Sequence, residues 1–330
     1  MRRALLVGIN SYEATSSLSA CVADAHAMTE VLCRHKDGKI NYACRPLLDR
    51  MENGDPITRP NLREACQKLF EFDGDVLFYF SGHGVLTNVG GYLCTTDARP
   101  NDWGVPMQEV IELAARSNSK NLLLILDCCH SGDVANPAVL NQRGGSNPLA
   151  VLREGMTVIA ASRDQQVAIE NDGHGLVTAA ILDALEGGAA DHLGWVTPSS
   201  IYAYVSRRFG GWDQRPVFKS NVIDVPVVRE CEPLIDRLKL HRLVVLFPTV
   251  DHQYRLDPEF EPEDEHGNVK KPVNQTKVDI AHLFKSYRDA GLLRPSDPKQ
   301  QLYWTARKKG TVELTPRGRE YWWLVKNEKI

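Results

Sequence analysis

Residues 75–84 read DVLFYFSGHG, and residues 121–132 read NLLLILDCCHSG. Each contains an unbroken apolar run of strand length, with no polar alternation. A strand of that kind is buried on both faces, which parallel sheets achieve by carrying helices on either side. Each run then gives way to small, hydrogen-bonding residues: Ser81, Gly82, His83 and Gly84 after the first, and residues 127–132 after the second. In open α/β sheets, ligands gather beyond the carboxyl ends of the strands. The two runs therefore predict an architecture and the edge at which its chemistry sits.

The same alternation extends in both directions. Residues 4–9 form another apolar run, and Leu18, Val22, Ala25, Met28 and Leu32 follow at helical spacing. Residues 45–48 read as a short strand. Residues 58–70 read as a helix with Pro60 in its first turn, where proline is tolerated. A helix is predicted over 106–115, a strand over 156–160, and helices over 176–185 and 198–209. Strands alternating with helices predict a three-layer α/β fold with a mostly parallel central sheet. Residues 133–148 (DVANPAVLNQRGGSNP) read as a long surface loop.

The last third of the chain differs. Residues 251–276 are rich in Pro, Glu and Asp and read as a linker. A helical pattern covers 278–293. Residues 301–305 and 311–314 flank Lys308-Lys309-Gly310, a hairpin signal. Thr315 and Pro316 then start a helix carrying Tyr321, Trp322, Trp323 and Val325. Helix, hairpin and helix together suggest a small winged-helix-like α+β domain. The predicted division is 1–228 for the α/β domain, 229–276 for a connecting region and 277–330 for the accessory domain.

Charge follows the same division. The 330 residues carry a net charge of −3, which excludes a uniformly basic nucleic-acid binder. Residues 271–330 nevertheless hold 13 Lys+Arg against 6 Asp+Glu, with Trp304, Trp322 and Trp323 among them. A basic module on an acidic body suggests a partner of its own, either nucleic acid through 277–330 or an activating or inhibiting protein. Tryptophans at helical spacing also serve as plain core. No apolar run reaches the roughly 18–20 residues of a membrane helix. The N-terminal MRRALLVGIN lacks the apolar stretch of about 7–15 residues that a secretory signal needs. The expectation is a cytoplasmic protein with no membrane partner. Its eight cysteines show no CxxC or Cys/His zinc spacing and read as reduced thiols.

A cysteine nucleophile needs thiolate character, a proton donor for the leaving group, and backbone N–H groups for the oxyanion. His83 and Cys129 stand at the ends of two predicted strands, each flanked by small residues that let a substrate backbone approach. A lone histidine after a strand, or a lone buried cysteine, is more often structural. Their joint placement points to a Cys-His dyad.

Residues 80–84 (FSGHG) and 127–132 (DCCHSG) resemble the two active-site motifs of caspase-like cysteine peptidases, most closely the metacaspase branch and its prokaryotic relatives. Supporting matches are ALLVGIN (4–10), LSACVAD (18–24), AASRDQQVAIE (160–170), GLVTAAILDAL (175–185) and QRPVF (214–218). The resemblance covers about residues 1–225. It implies that Cys129 is the nucleophile, that Cys128 is its non-attacking neighbour, and that His83 is the general acid/base. It also implies an oxyanion hole of the Gly84 and Cys129 N–H groups, and a structural His130.

Specificity in this branch would come from Asp24 and Asp127, with Ser162 lining the same pocket. Two carboxylates suit a guanidinium fork, so cleavage after Arg, and by extension Lys, is expected. Some relatives bind calcium through an aspartate cluster, but Asn136 stands seven residues beyond Cys129, where they carry Asp. Asp97 and Asp102 are hard-oxygen candidates that serve equally as solvated carboxylates. No metal site or cofactor is therefore assigned, and a calcium requirement has no support. Arg143, followed by two glycines in the loop after the nucleophile, is the autocleavage candidate. The resemblance implies a latent endopeptidase acting in proteolysis, with antiviral defence or regulated cell death as its setting. The alternatives are a DNA- or partner-binding regulator that uses the peptidase as a switch, and a non-catalytic caspase-like scaffold.

Overall fold

The chain was described from a computed structural model covering residues 1–49, 56–88, 90–128, 152–161, 170–171, 173–209, 216–263, 266, 268–269 and 272–330. The apolar runs become strands. In chain order the first part contains β1 (Arg2–Gly8), α1 (Cys21–Cys33), β2 (Ala43–Leu48), α2 (Arg59–Phe70), β3 (Asp75–Ser81), β4 (Gly84–Thr87), β5 (Gly90–Arg99), β6 (Asp102–Pro106) and α3 (Met107–Arg116). There follow β7 (Leu122–Asp127), β8 (Met156–Ala160), β9 (Glu170–Asn171), β10 (His174–Gly175), α4 (Leu176–Asp183), β11 (Trp195–Val196), α5 (Pro198–Ser206), β12 (Val217–Asn221) and β13 (Arg229–Glu230).

Six strands form the central sheet in the order β12-β8-β7-β3-β1-β2. All neighbours run parallel except β12, which lies antiparallel on β8. Successive side chains leave a strand on opposite faces. Leu5, Val7, Phe78 and Phe80 therefore join one core with Leu62, Cys66, Leu69, Val110 and Ile111 of α2 and α3. Ala4, Leu6, Leu77 and Tyr79 join the other with Met28, Leu32, Val177, Ile181 and Ile201 of α1, α4 and α5. Two covered faces explain why β3 and β7 lack polar alternation. Each large apolar side chain so buried contributes about 1.5–3 kcal/mol. Gly8 lets α1 start close against β1: a Cβ there would stand 2.3 Å from the Cys21 carbonyl oxygen.

Two features went unread in the sequence. β4, β5 and β6 form a separate three-stranded antiparallel sheet, interrupted by glycines and by polar Thr95 and Thr96. β12 (VFKSN) is a half-exposed edge strand with too little alternation to announce itself.

The chain divides into two compact units, 1–190 with 194–232, and 191–193 with 233–330. The second unit contains α6 (Arg237–His241), α7 (Leu243–Leu246), β14 (Tyr254–Arg255), α8 (Gln275–Asp289), β15 (Leu293–Pro295), α9 (Leu302–Arg307), β16 (Thr311–Leu314) and α10 (Pro316–Lys326). Much of the stretch read as a connecting region thus supplies two helices and a strand. Phe247, Tyr254 and Phe284 form an aromatic cluster, with ring centroids 5.0–6.1 Å apart. The expected hairpin is corrected. Its first arm is helix α9, because Leu302, Thr305 and Ala306 are buried at i, i+3 and i+4. Lys309, at φ 56°, and Gly310 follow the helix, and β16 then pairs antiparallel with both β14 and β15. Among the described residues no helix is long and apolar enough to cross a membrane.

Candidate active site

Strands β1, β3 and β7 are level at their carboxyl ends, since Gly8 pairs with Ser81 and Ser81 with Asp127. His83 lies two residues past Ser81. Its Nε2–H donates to the Ser16 carbonyl at 2.8 Å, because a carbonyl can only accept. Nδ1 takes no part in that bond. The His83 backbone N–H donates to the Tyr12 hydroxyl at 2.7 Å, and that hydroxyl donates to the Ile9 carbonyl at 3.0 Å. The two rings pack with centroids 4.7 Å apart. The His83 carbonyl accepts from Cys94 N–H at 3.0 Å. The loop after β1 thus holds the imidazole from two sides. Gly84 follows directly, buried at the start of β4 and opposite Leu93.

Cys129 lies outside the described residues, as do His130, Asn136, Arg143 and Ser162. Cys128 is described, and its side chain is buried in the core shared with Phe80 and Leu126. A thiol packed among apolar groups behaves as a small hydrophobe.

Asp24 and Asp127 come together. Asp24, in the first turn of α1, is 1% exposed, and Asp127, the last residue of β7, is 8% exposed. A Cβ on Gly175 would lie 3.2 Å from Oδ2 of each, so both oxygens face one point, and glycine is what leaves it open. Asp24 accepts from His174 Nδ1–H at 2.7 Å, from Ser81 Oγ–H at 3.2 Å and from Gly175 N–H at 3.3 Å. Asp127 Oδ2 accepts from the Thr178 hydroxyl at 2.6 Å and from the Thr178 N–H, in the first turn of α4, at 3.2 Å. With its proton on Asp127, the Thr178 hydroxyl accepts from buried Tyr79 OH at 2.6 Å.

Burial pushes the Asp24 carboxyl up to about 6, and the neighbouring Asp127 charge adds to the rise, against the pull of His174 and Gly175. Among the described residues no lysine or arginine pairs with either carboxylate; the nitrogen that meets Asp24 belongs to the His174 imidazole. The structure thus brings two buried carboxylates to one point.

The oxygen-ligand candidates are engaged elsewhere. Asp97 accepts from Arg59 N–H at 3.1 Å and from the Thr95 hydroxyl at 2.6 Å, and Asp102 pairs with Arg59 at 2.6 Å. Among the described residues no trio of His, Cys, Asp and Glu converges on a metal position.

Sequence reading missed Tyr12, Ser16, His174 and Thr178. Ser16 acts through its carbonyl, which every residue type offers. Tyr12 follows the apolar run by only three residues, and His174 precedes Gly175 directly, so proximity to the quoted matches was the available signal.

The family described as Caspase domain matches residues 1–227. Metacaspase-7 of Arabidopsis thaliana is 29% identical over an alignment of 151 residues that covers 42% of this chain and 36% of that protein. The chain thus spans about a third of the length of this curated relative.

Proposed function

We infer the activity from one premise: the chain belongs to the caspase-domain family of peptidases. It is a cysteine-type endopeptidase that cleaves after arginine and, less well, after lysine. The Cys129 thiolate attacks the scissile carbonyl carbon, and the carbonyl π electrons move onto oxygen. The N–H groups of Gly84 and Cys129 receive that oxyanion; losing one such donor typically costs about 3–4 kcal/mol. As the C–N bond breaks, His83 Nδ1 gives its proton to the leaving amine. His83 then takes a proton from water, which hydrolyses the thioester and frees Cys129.

The observation that carries the reading is the convergence of Asp24 and Asp127 beside the level ends of β3 and β7. Two carboxylate oxygens match the fork of a guanidinium better than a single ammonium. The test is a panel of fluorogenic peptides with Arg, Lys or Asp before the scissile bond, using wild type and Cys129→Ala. Turnover of Arg over Lys, abolished in the variant, is expected. Equal or better turnover of the Asp peptide would overturn it.

The enzyme is latent and cytoplasmic in this reading, and cleavage after Arg143 in the long loop is the proposed activation step. Identical gel patterns for active protein and Cys129→Ala would dispose of that step. A setting in defence or regulated cell death rests on resemblance to prokaryotic relatives. The second unit is assigned to a partner, on the surplus of basic residues over 271–330 and on Trp304 and Trp323, each 53% exposed. Steeply salt-dependent DNA binding would make that partner nucleic acid, and its absence would favour a protein.

A further inference from the structure

We propose that His174 is the positioning residue of the acidic pocket: its Nδ1–H holds the Asp24 carboxylate charged and aimed for the incoming basic side chain. The inference rests on the reading that Asp24 and Asp127 receive that side chain.

Geometry carries it. His174 and Gly175 form β10, and their consecutive donors, an imidazole N–H and a backbone N–H, both reach Asp24. The imidazole takes Oδ1 at 2.7 Å, which leaves Oδ2 turned toward the point it shares with Asp127 Oδ2. His174 is 29% exposed, whereas Asp24 beneath it is almost fully enclosed. A buried carboxylate beside a second one tends to take up a proton and lose its charge. Each element packed on the pair bears on that tendency. Asp127 on β7 opposes ionisation of Asp24, and the Tyr79 hydroxyl on β3 is held neutral by burial and by both carboxylates. Ser81 on β3 donates to Asp24, and Thr178 on α4 donates to Asp127. Among these groups His174 is the one that can donate and also carry positive charge, so it acts against burial and against Asp127 together.

A neutral Asp24 would offer the guanidinium an uncharged, weaker acceptor beside Asp127. The defect would fall on substrate binding, and it would be repaired by raising the pH until Asp24 ionises unaided. A purely structural defect would show neither feature.

The test measures KM and kcat for an Arg peptide from pH 5.5 to 9 on wild type, His174→Phe and His174→Asn. Phenylalanine keeps a ring and removes the donor, and asparagine restores an N–H near the Nδ1 position. For His174→Phe, KM at pH 7 should rise about three- to tenfold, the loss expected if the Asp24 pKa climbs by roughly one and a half to two units. At pH 9 it should return toward wild type, and His174→Asn should lie between the two throughout. An unchanged KM, a rise of equal size at every pH, or equal defects in both variants overturns the proposal. If His174→Phe does not fold, the acid limb of His174→Asn decides: a limb at lower pH than wild type overturns it. Wild type that prefers Asp to Arg would instead defeat the specificity reading itself, which separates the two failures.

Discussion

The His83 seat and the Asp24–Asp127 pocket share one edge of one sheet, yet they are built on opposite electrostatic plans. His83 is partly exposed and is held by neutral groups: a carbonyl, a hydroxyl and an aromatic ring. The two carboxylates are buried, like-charged and held by a converging set of donors. The group proposed to move a proton keeps contact with water. The groups proposed to recognise a charge are withdrawn from water, where each charge counts for more. A fault in the first should therefore lower turnover, whereas a fault in the second should weaken binding in a pH-dependent way.

The sharpest way to break that contrast is substitution at its two poles. His83→Ala should lower kcat on the order of 10²–10⁴-fold with KM little moved, as steady-state assays would read. Asp24→Asn and Asp127→Asn should each cost kcat/KM for Arg peptides roughly 30-fold or more, mostly through KM, since each disrupts a buried charged contact worth about 2–5 kcal/mol. Comparable KM effects from all three would erase the distinction.

A finer probe is stability. Asp24 titrates near 6 in the folded chain, against 3.8 for the free group, so the folded state binds more protons between those values. Its contribution to stability is therefore highest below about 4 and falls as pH rises through about 6, by on the order of 2–3 kcal/mol. Thermal melts of wild type and Asp24→Asn should show the variant gaining relative stability from pH 4 to pH 7. A constant difference would place Asp24 in a more hydrated site. The smallest effect is expected from Tyr12→Phe, which strips the His83 N–H of its acceptor at a cost of about 1–2 kcal/mol. It should reduce kcat about tenfold while the KM for Arg peptides stays put.

The two halves of the site were also unequally legible. β3 and β7 could be read because a doubly covered strand is apolar at every position, and the break at Ser81 or Asp127 marks its end. Asp24 was marked for the pocket by the LSACVAD resemblance together with Asp127, whereas its burial depends on β10 arriving from 150 residues away. β4, β5 and β6 were missed because their turns and threonines mask the period of two. The hairpin expected around Lys308 failed because Lys-Lys-Gly ends a helix as readily as it turns a ribbon. Tertiary distance defeated the reading at His174, and backbone chemistry defeated it at Ser16.

The Ser16 carbonyl has a consequence of its own. An orienting partner made of main chain survives every replacement of its side chain, so an alanine scan would pass over position 16 without a signal. Its contribution would surface only when the loop between Ile9 and Ser19 is shortened, lengthened or stiffened. Tolerance to point mutation at position 16 marks a hidden dependence on loop length.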